Sequence, residues 1–217
     1  MSQSLREIPG PAGPLEVLMD LPAGPPRAAV VFAHPLPIQG GTMHTKVVFQ
    51  GAKALTRIGC AVLRFNFRGA GASDGTFSNG PGEQDDFRAA LTYMREQYPG
   101  LPLVAAGFSF GARVSLEGSC SDPRVERVLA AGVPAGSGDY GFLARCSRAK
   151  HFLHSTNDQY GSREQMEAVY GLAAEPKELR WIEASDHFFQ GGLDQLEEAV
   201  RVILASRASS STTASST

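Results

Sequence analysis

The sequence predicts an α/β fold, a three-layer α/β/α sandwich built on a mostly parallel sheet. Short apolar runs of strand length alternate with longer segments of helical spacing, and strands separated by helices pair in parallel. The run Ala28–Ala33 (AAVVFA) is apolar at every position, as suits a strand covered on both faces. At 217 residues, 42% hydrophobic and 19% charged, the chain has one domain's worth of sequence and enough apolar surface for its core.

The elements follow in order. Residues 15–19 (LEVLM) read as a first strand, closed by Pro22, and 28–33 as the second. Residues 43–58 carry Val47, Val48, Ala52 and Leu55 at helical spacing, and Gly59 stops them. A strand over 60–67 leads into a loop with Gly69, Gly71 and Gly75. Residues 83–98 form a helix with Phe87, Leu91 and Met94 on one face and Pro99-Gly100 as terminator. A strand over 101–106 is followed by a helix over 109–119. Further strands are expected at 125–133, 150–154 and 178–182, with helices at 162–172 and 193–206. The domain should span 1–205. The tail 206–217 is Ser, Thr and Ala apart from Arg207, and such a composition predicts disorder.

Charge and composition exclude several classes. A net charge of −2 leaves no basic footprint for nucleic acid or an anionic membrane. No apolar run approaches a membrane span. Met1 to Glu7 is polar, so no signal peptide and a cytoplasmic location are expected. Cys60, Cys120 and Cys146 look too few and too scattered for a disulfide framework or a metal site.

Gly-x-Ser-x-Gly occurs twice, at 71–75 and at 107–111. Glycine is abundant here, so context decides. Nucleophilic serine chemistry needs the residue on a sharp strand-to-helix turn, with the next N–H directed into the site. Ser109 has a strand before it and a helix after it; Ser73 sits among turn residues and reads as a loop serine. A serine hydroxyl needs a histidine to take its proton and a carboxylate to orient that histidine, in the chain order Ser, acid, His. His34 and His44 precede Ser109, and His151 and His154 lie in or beside a strand. His187, in the loop after the last strand, is the base. Asp158, just past the strand ending at His154, is the acid. Asp186 is adjacent to His187 and badly placed to meet its ring, while Asp122 and Asp139 lie too early in the chain. An oxyanion hole would use the Phe110 N–H and a second amide from the loop His34-Pro35-Leu36-Pro37, where Leu36 is the nearest donor because neither proline has an N–H, with Gly40, Gly41 and Thr42 as other candidates.

These residues resemble the α/β-hydrolase superfamily, and within it the small lid-less bacterial hydrolases related to dienelactone hydrolase and short-chain carboxylesterases. The matching stretches are His34-Pro35, Gly40 to Met43, Lys46-Val47-Val48, Arg64 to Gly69, Gly107 to Gly111 and Asp186 to Phe189. The resemblance implies Ser109, Asp158 and His187 as triad, with Leu36 and Phe110 at the oxyanion hole. The nucleophile is Ser where dienelactone hydrolase uses Cys, and Ser155 stands where Gly is common. The implied activity is hydrolysis of small carboxylic esters through an acyl-enzyme, without metal or organic cofactor. Its partner would be a small-molecule ester, with no nucleic acid or membrane. The alternatives are a catalytically silent scaffold used for binding and a peptidase or acyl-peptide hydrolase. Phe108, Phe110, Phe188 and Phe189 flank the site, and an apolar mouth favours neutral short acyl esters. Arg64 and Arg68 are expected in structural ion pairs near the Asp85-Asp86 helix, the alternative being counter-ions for an acidic substrate. Only 134–149 separates two strands where lids are often inserted, so the site should be open.

Overall fold

The computed structural model describes residues 6–205, so the expected disordered tail lies outside the described residues. Eight strands form one sheet: β1 (Glu7–Ile8), β2 (Leu15–Asp20), β3 (Ala28–Ala33), β4 (Cys60–Phe65), β5 (Leu103–Phe108), β6 (Val125–Ala131), β7 (Ala149–Ser155) and β8 (Lys177–Ile182). Their order is β1-β2-β4-β3-β5-β6-β7-β8. From β4 to β8 all pairings are parallel; β1 with β2 and β2 with β4 are antiparallel. The helices are α1 (Lys46–Arg57), α2 (Pro81–Gln97), α3 (Phe110–Cys120), α4 (Arg163–Leu172) and α5 (Leu193–Ala205). This is the α/β-sandwich that the alternation of elements predicts.

Side-chain alternation along each strand divides the core in two. Ala29, Val31 and Ala33 of β3 join Phe87, Leu91 and Met94 of α2, Val114 and Leu116 of α3, and Met166 of α4. Val30 and Phe32 face the other way, onto Val47, Val48 and Leu55 of α1 and Leu196, Val200 and Ile203 of α5. Gly51 of α1 has a steric reason: a Cβ there would lie 2.5 Å from the Phe32 ring. The glycine lets α1 close onto the sheet.

Several boundaries differ from expectation. The two-residue strand β1 has no period to detect, and only its pairing with Leu15 and Glu16 defines it. Helix α1 starts at Lys46 rather than 43, because Thr42 and Thr45 close a turn ahead of it. Strand β5 runs two residues beyond 106, pairing Gly107 with Ala33 and Ala130, and so delivers the chain to Ser109.

The cysteine expectation is corrected. Cys120, at the end of α3, is disulfide-bonded to Cys146, after the short turn Gly141–Arg145, while Cys60 is free and buried. A sequence separation of 26 hid the pairing; the return of the chain over α3 makes it. Nearby, the buried Lys150 donates from Nζ to the carbonyls of Cys146 and Arg148, and burial pushes its ammonium down to about 8. Among the described residues, no helix is long and apolar enough to cross a membrane.

Candidate functional site

The site forms where β5 turns into α3. Ser109 sits at φ 57°, ψ −121°, a left-handed conformation that costs a non-glycine residue about 1–3 kcal/mol. Its N–H donates to Ala131 O on β6, and its carbonyl accepts from Ala112 and Arg113. The flanking glycines are required by close backbone approach. A Cβ on Gly107 would lie 2.2 Å from Gly111 O, and one on Gly111 would lie 2.4 Å from Ala33 O. Phe110 opens α3, so its N–H has no acceptor within the helix and faces the site with the positive end of the helix dipole.

The second Gly-x-Ser-x-Gly is structural. Ser73 Oγ donates to Asn66 O at 2.7 Å and accepts from Glu16 N–H at 2.9 Å, tying its loop to β2.

His187 and Asp158 come together from two loops. Nδ1 of His187 lies 2.7 Å from Asp158 Oδ2, and both side chains are buried. Tyr160 N–H donates to Asp158 Oδ1 at 2.8 Å. The imidazole lies over Phe108, with ring centroids 4.9 Å apart, and meets Tyr160 and Phe188 edge-on. Gly132, at φ +55°, makes room for it, since a Cβ there would lie 3.1 Å from His187 Cε1. Gln159 Oε1 accepts the His187 backbone N–H at 3.0 Å. With Nδ1 donating to the carboxylate, Nε2 is left bare to accept a proton. It has no hydrogen-bond partner in the structure.

Ser109, His187, Phe110 and Leu36 line one cavity of about 1020 Å³, with Asp158 behind the imidazole. His34 holds the Leu36 loop in place: Nδ1 is 2.6 Å from Pro35 O, and Phe67 N–H donates to Nε2 at 3.0 Å. The other acids lie elsewhere. Asp186 Oδ1 accepts from Gln190 N–H, Asp122 pairs with Arg124, and Asp139 caps its own turn at Gly141. Ser155 accepts from Asn157 N–H and reaches Ala184 O, bracing the acid loop. Arg68 pairs with Asp86 as expected, whereas Arg64 pairs with Asp20 and also donates to Met43 O.

The sequence reading missed three neighbours. His154 is wholly buried on β7, donates from Nε2 to Gly161 O at 2.8 Å, and comes within 3.6 Å of Asp158 Oδ2. Burial pushes its basicity down, so it braces the acid loop as a neutral ring. Arg88 and Arg113 line the cavity, so the mouth is not purely apolar. Spacing held a signal for Arg113: four residues after Ser109, it returns to the same helix face.

This parallel sheet, with a serine at the strand–helix elbow and no cap between β6 and β7, defines the class of α/β hydrolases. The chain belongs to the α/β-hydrolase superfamily: the family model described as serine aminopeptidase, S33, matches residues 24–140, more than half of it. An uncharacterized protein of Rickettsia prowazekii is 30% identical over 200 residues, covering 88% of this chain and 84% of that one. A lid-less α/β serine hydrolase from Xanthomonas campestris is 33% identical, with a TM-score of 0.84 over 94% of each chain. An α/β serine hydrolase homologue from Coxiella burnetii is 32% identical, with a TM-score of 0.86 over 94% of this chain and 98% of that one.

Proposed function

We propose that the protein hydrolyses small carboxylic esters through an acyl-enzyme, with Ser109 as nucleophile, His187 as general base and acid, and Asp158 as the group that orients the imidazole. The 2.7 Å contact between His187 Nδ1 and Asp158 Oδ2 carries this reading, because it leaves Nε2 without a partner on a histidine that lines the same cavity as Ser109. In the first half-reaction Nε2 takes the Ser109 proton as Oγ bonds to the ester carbonyl carbon. The carbonyl oxygen becomes an oxyanion, which Phe110 N–H and Leu36 N–H receive. Collapse breaks the bond to the alcohol, whose oxygen takes the proton from Nε2. Water then repeats the sequence on the acyl-enzyme and releases the acid.

Ser109→Ala should lower kcat for p-nitrophenyl esters by about 10⁶-fold. Fluorophosphonate labelling should occur in the native protein and disappear in that variant. Undiminished turnover by Ser109→Ala overturns the assignment. Absence of both labelling and turnover in the native protein favours a silent scaffold. A panel including aminoacyl anilides decides between ester and peptide bonds, the latter being the bond named in the family model's description.

A further inference from the structure

Arg113 lies one helical turn beyond Ser109, and both line the cavity. Its guanidinium is held against the 134–140 loop. Cζ stands 5.8 Å from the centroid of the Tyr140 ring. Nη1 packs beside Gly138, 2.3 Å from where its Cβ would be, and the φ of +89° at that position favours glycine. The head group thus lies between the Tyr140 ring and Gly138. Of the cavity's carboxylates, Asp85 pairs with Arg88, and exposed Glu117 accepts from Gln84 Nε2 at 3.2 Å rather than from Arg113. Among the described residues no carboxylate lies within 4.0 Å of the Arg113 guanidinium, and no protein acceptor takes a hydrogen bond from it. A half-buried, positioned fork of five N–H donors in the wall of a reaction cavity is a counter-ion without a partner.

We propose that the substrate carries a carboxylate and that Arg113 binds it. The inference rests on the ester-hydrolase reading and names the class of ester. A planar guanidinium matches a carboxylate with two parallel hydrogen bonds. Because Ser109 and Arg113 line the same cavity one helical turn apart, a short chain joins the anionic group to the ester carbonyl held at Ser109. Tyr160 and Phe188, about half exposed at the same cavity, supply apolar surface for the rest of the substrate. The expected compounds are hemiesters of short dicarboxylic acids, or esters whose alcohol bears a carboxylate.

The test compares p-nitrophenyl hydrogen glutarate with its neutral methyl ester, both read by nitrophenol release. The native protein should give the higher kcat/KM with the anion, chiefly through KM, and added salt should shrink that advantage. Arg113→Gln should lower the anion-to-neutral ratio by about tenfold or more, the worth of a charge-assisted hydrogen bond. Arg113→Lys should retain part of it. A native ratio at or below one overturns the proposal, as does a ratio unchanged in folded Arg113→Gln. If that variant does not fold, a native ratio insensitive to salt overturns it. Turnover of the neutral ester with none of the anion defeats this proposal alone; turnover of neither defeats the ester-hydrolase reading and this inference with it.

Discussion

At the scale of single residues, His34 shows how contacts fix a charge state. Phe67 N–H donates to Nε2, so Nε2 is bare and Nδ1 carries the proton toward Pro35 O. A second proton would set N–H against N–H in a dry site, and burial pushes the pKa from 6.5 down to about 4. In the unfolded chain this histidine takes its proton near pH 6.5, so between 6.5 and 4 the native state binds fewer protons than the unfolded one. The contribution of neutral His34 to stability is whole above 6.5 and is lost as pH falls toward 4, amounting to about 3 kcal/mol. Buried His154 and His151 are shifted in the same direction, so the difference between native protein and His34→Gln isolates the effect. Urea unfolding between about pH 7 and about pH 4 should show the native protein losing stability faster than His34→Gln. Parallel profiles contradict the assignment. The sequence placed His34 in the loop His34-Pro35-Leu36-Pro37, but its tautomer and buried state depend on Phe67, which folding brings across from the end of β4.

At the scale of elements, the turn from β5 into α3 was legible because its requirements are local: a strand, two glycines around Ser109, and a helix. The positions of Asp158 and His187 were legible because chain order assigns them to the ends of β7 and β8. What escaped the sequence depends on distant elements meeting. His154 reaches the acid loop only once β7 is in the sheet, and Arg113 is seen to lack a carboxylate only when Asp85 has met Arg88 and Glu117 has met Gln84. The Cys120–Cys146 bond is of the same kind. It fastens the far end of α3 across a separation of 26 residues, and closing a loop of that length stabilises by about 3.5 kcal/mol through the unfolded chain. The double variant Cys120→Ala/Cys146→Ala should therefore unfold with about 2–4 kcal/mol less free energy by denaturant titration. The denatured, unreduced chain should expose one alkylatable thiol, Cys60, and all three after reduction. Three thiols without reduction would rule the bond out.

At the scale of the molecule, sheet order explains why the cavity opens where it does. Strand β3 lies between β4 and β5, so the chain leaves β3 in one direction along the sheet and passes back over it to reach β5. The loops after β3 and β5 therefore diverge at the C-terminal edge and leave a crevice there, where parallel sheets take their ligands. Leu36 belongs to the first loop and Ser109 to the second. His187 enters from beyond β8, three strands along from β5, and its loop closes the far wall. Between β6 and β7 the chain has only 132–148, a segment folded back on α3 by the Gly141–Arg145 turn and by the disulfide, so it cannot serve as a hinged cover. The apolar groups at the rim, Tyr160 and Phe188, are each 47% exposed without any movement of the chain. An enzyme that opens at a lipid surface owes its jump in rate to a cover that exchanges water for lipid, and the described residues contain no such exchange. Rates with p-nitrophenyl esters of increasing acyl length should thus rise hyperbolically with concentration and pass the solubility limit with no upward break. A sharp rise in rate when the substrate forms an emulsion would mean that some segment closes over Ser109 in water.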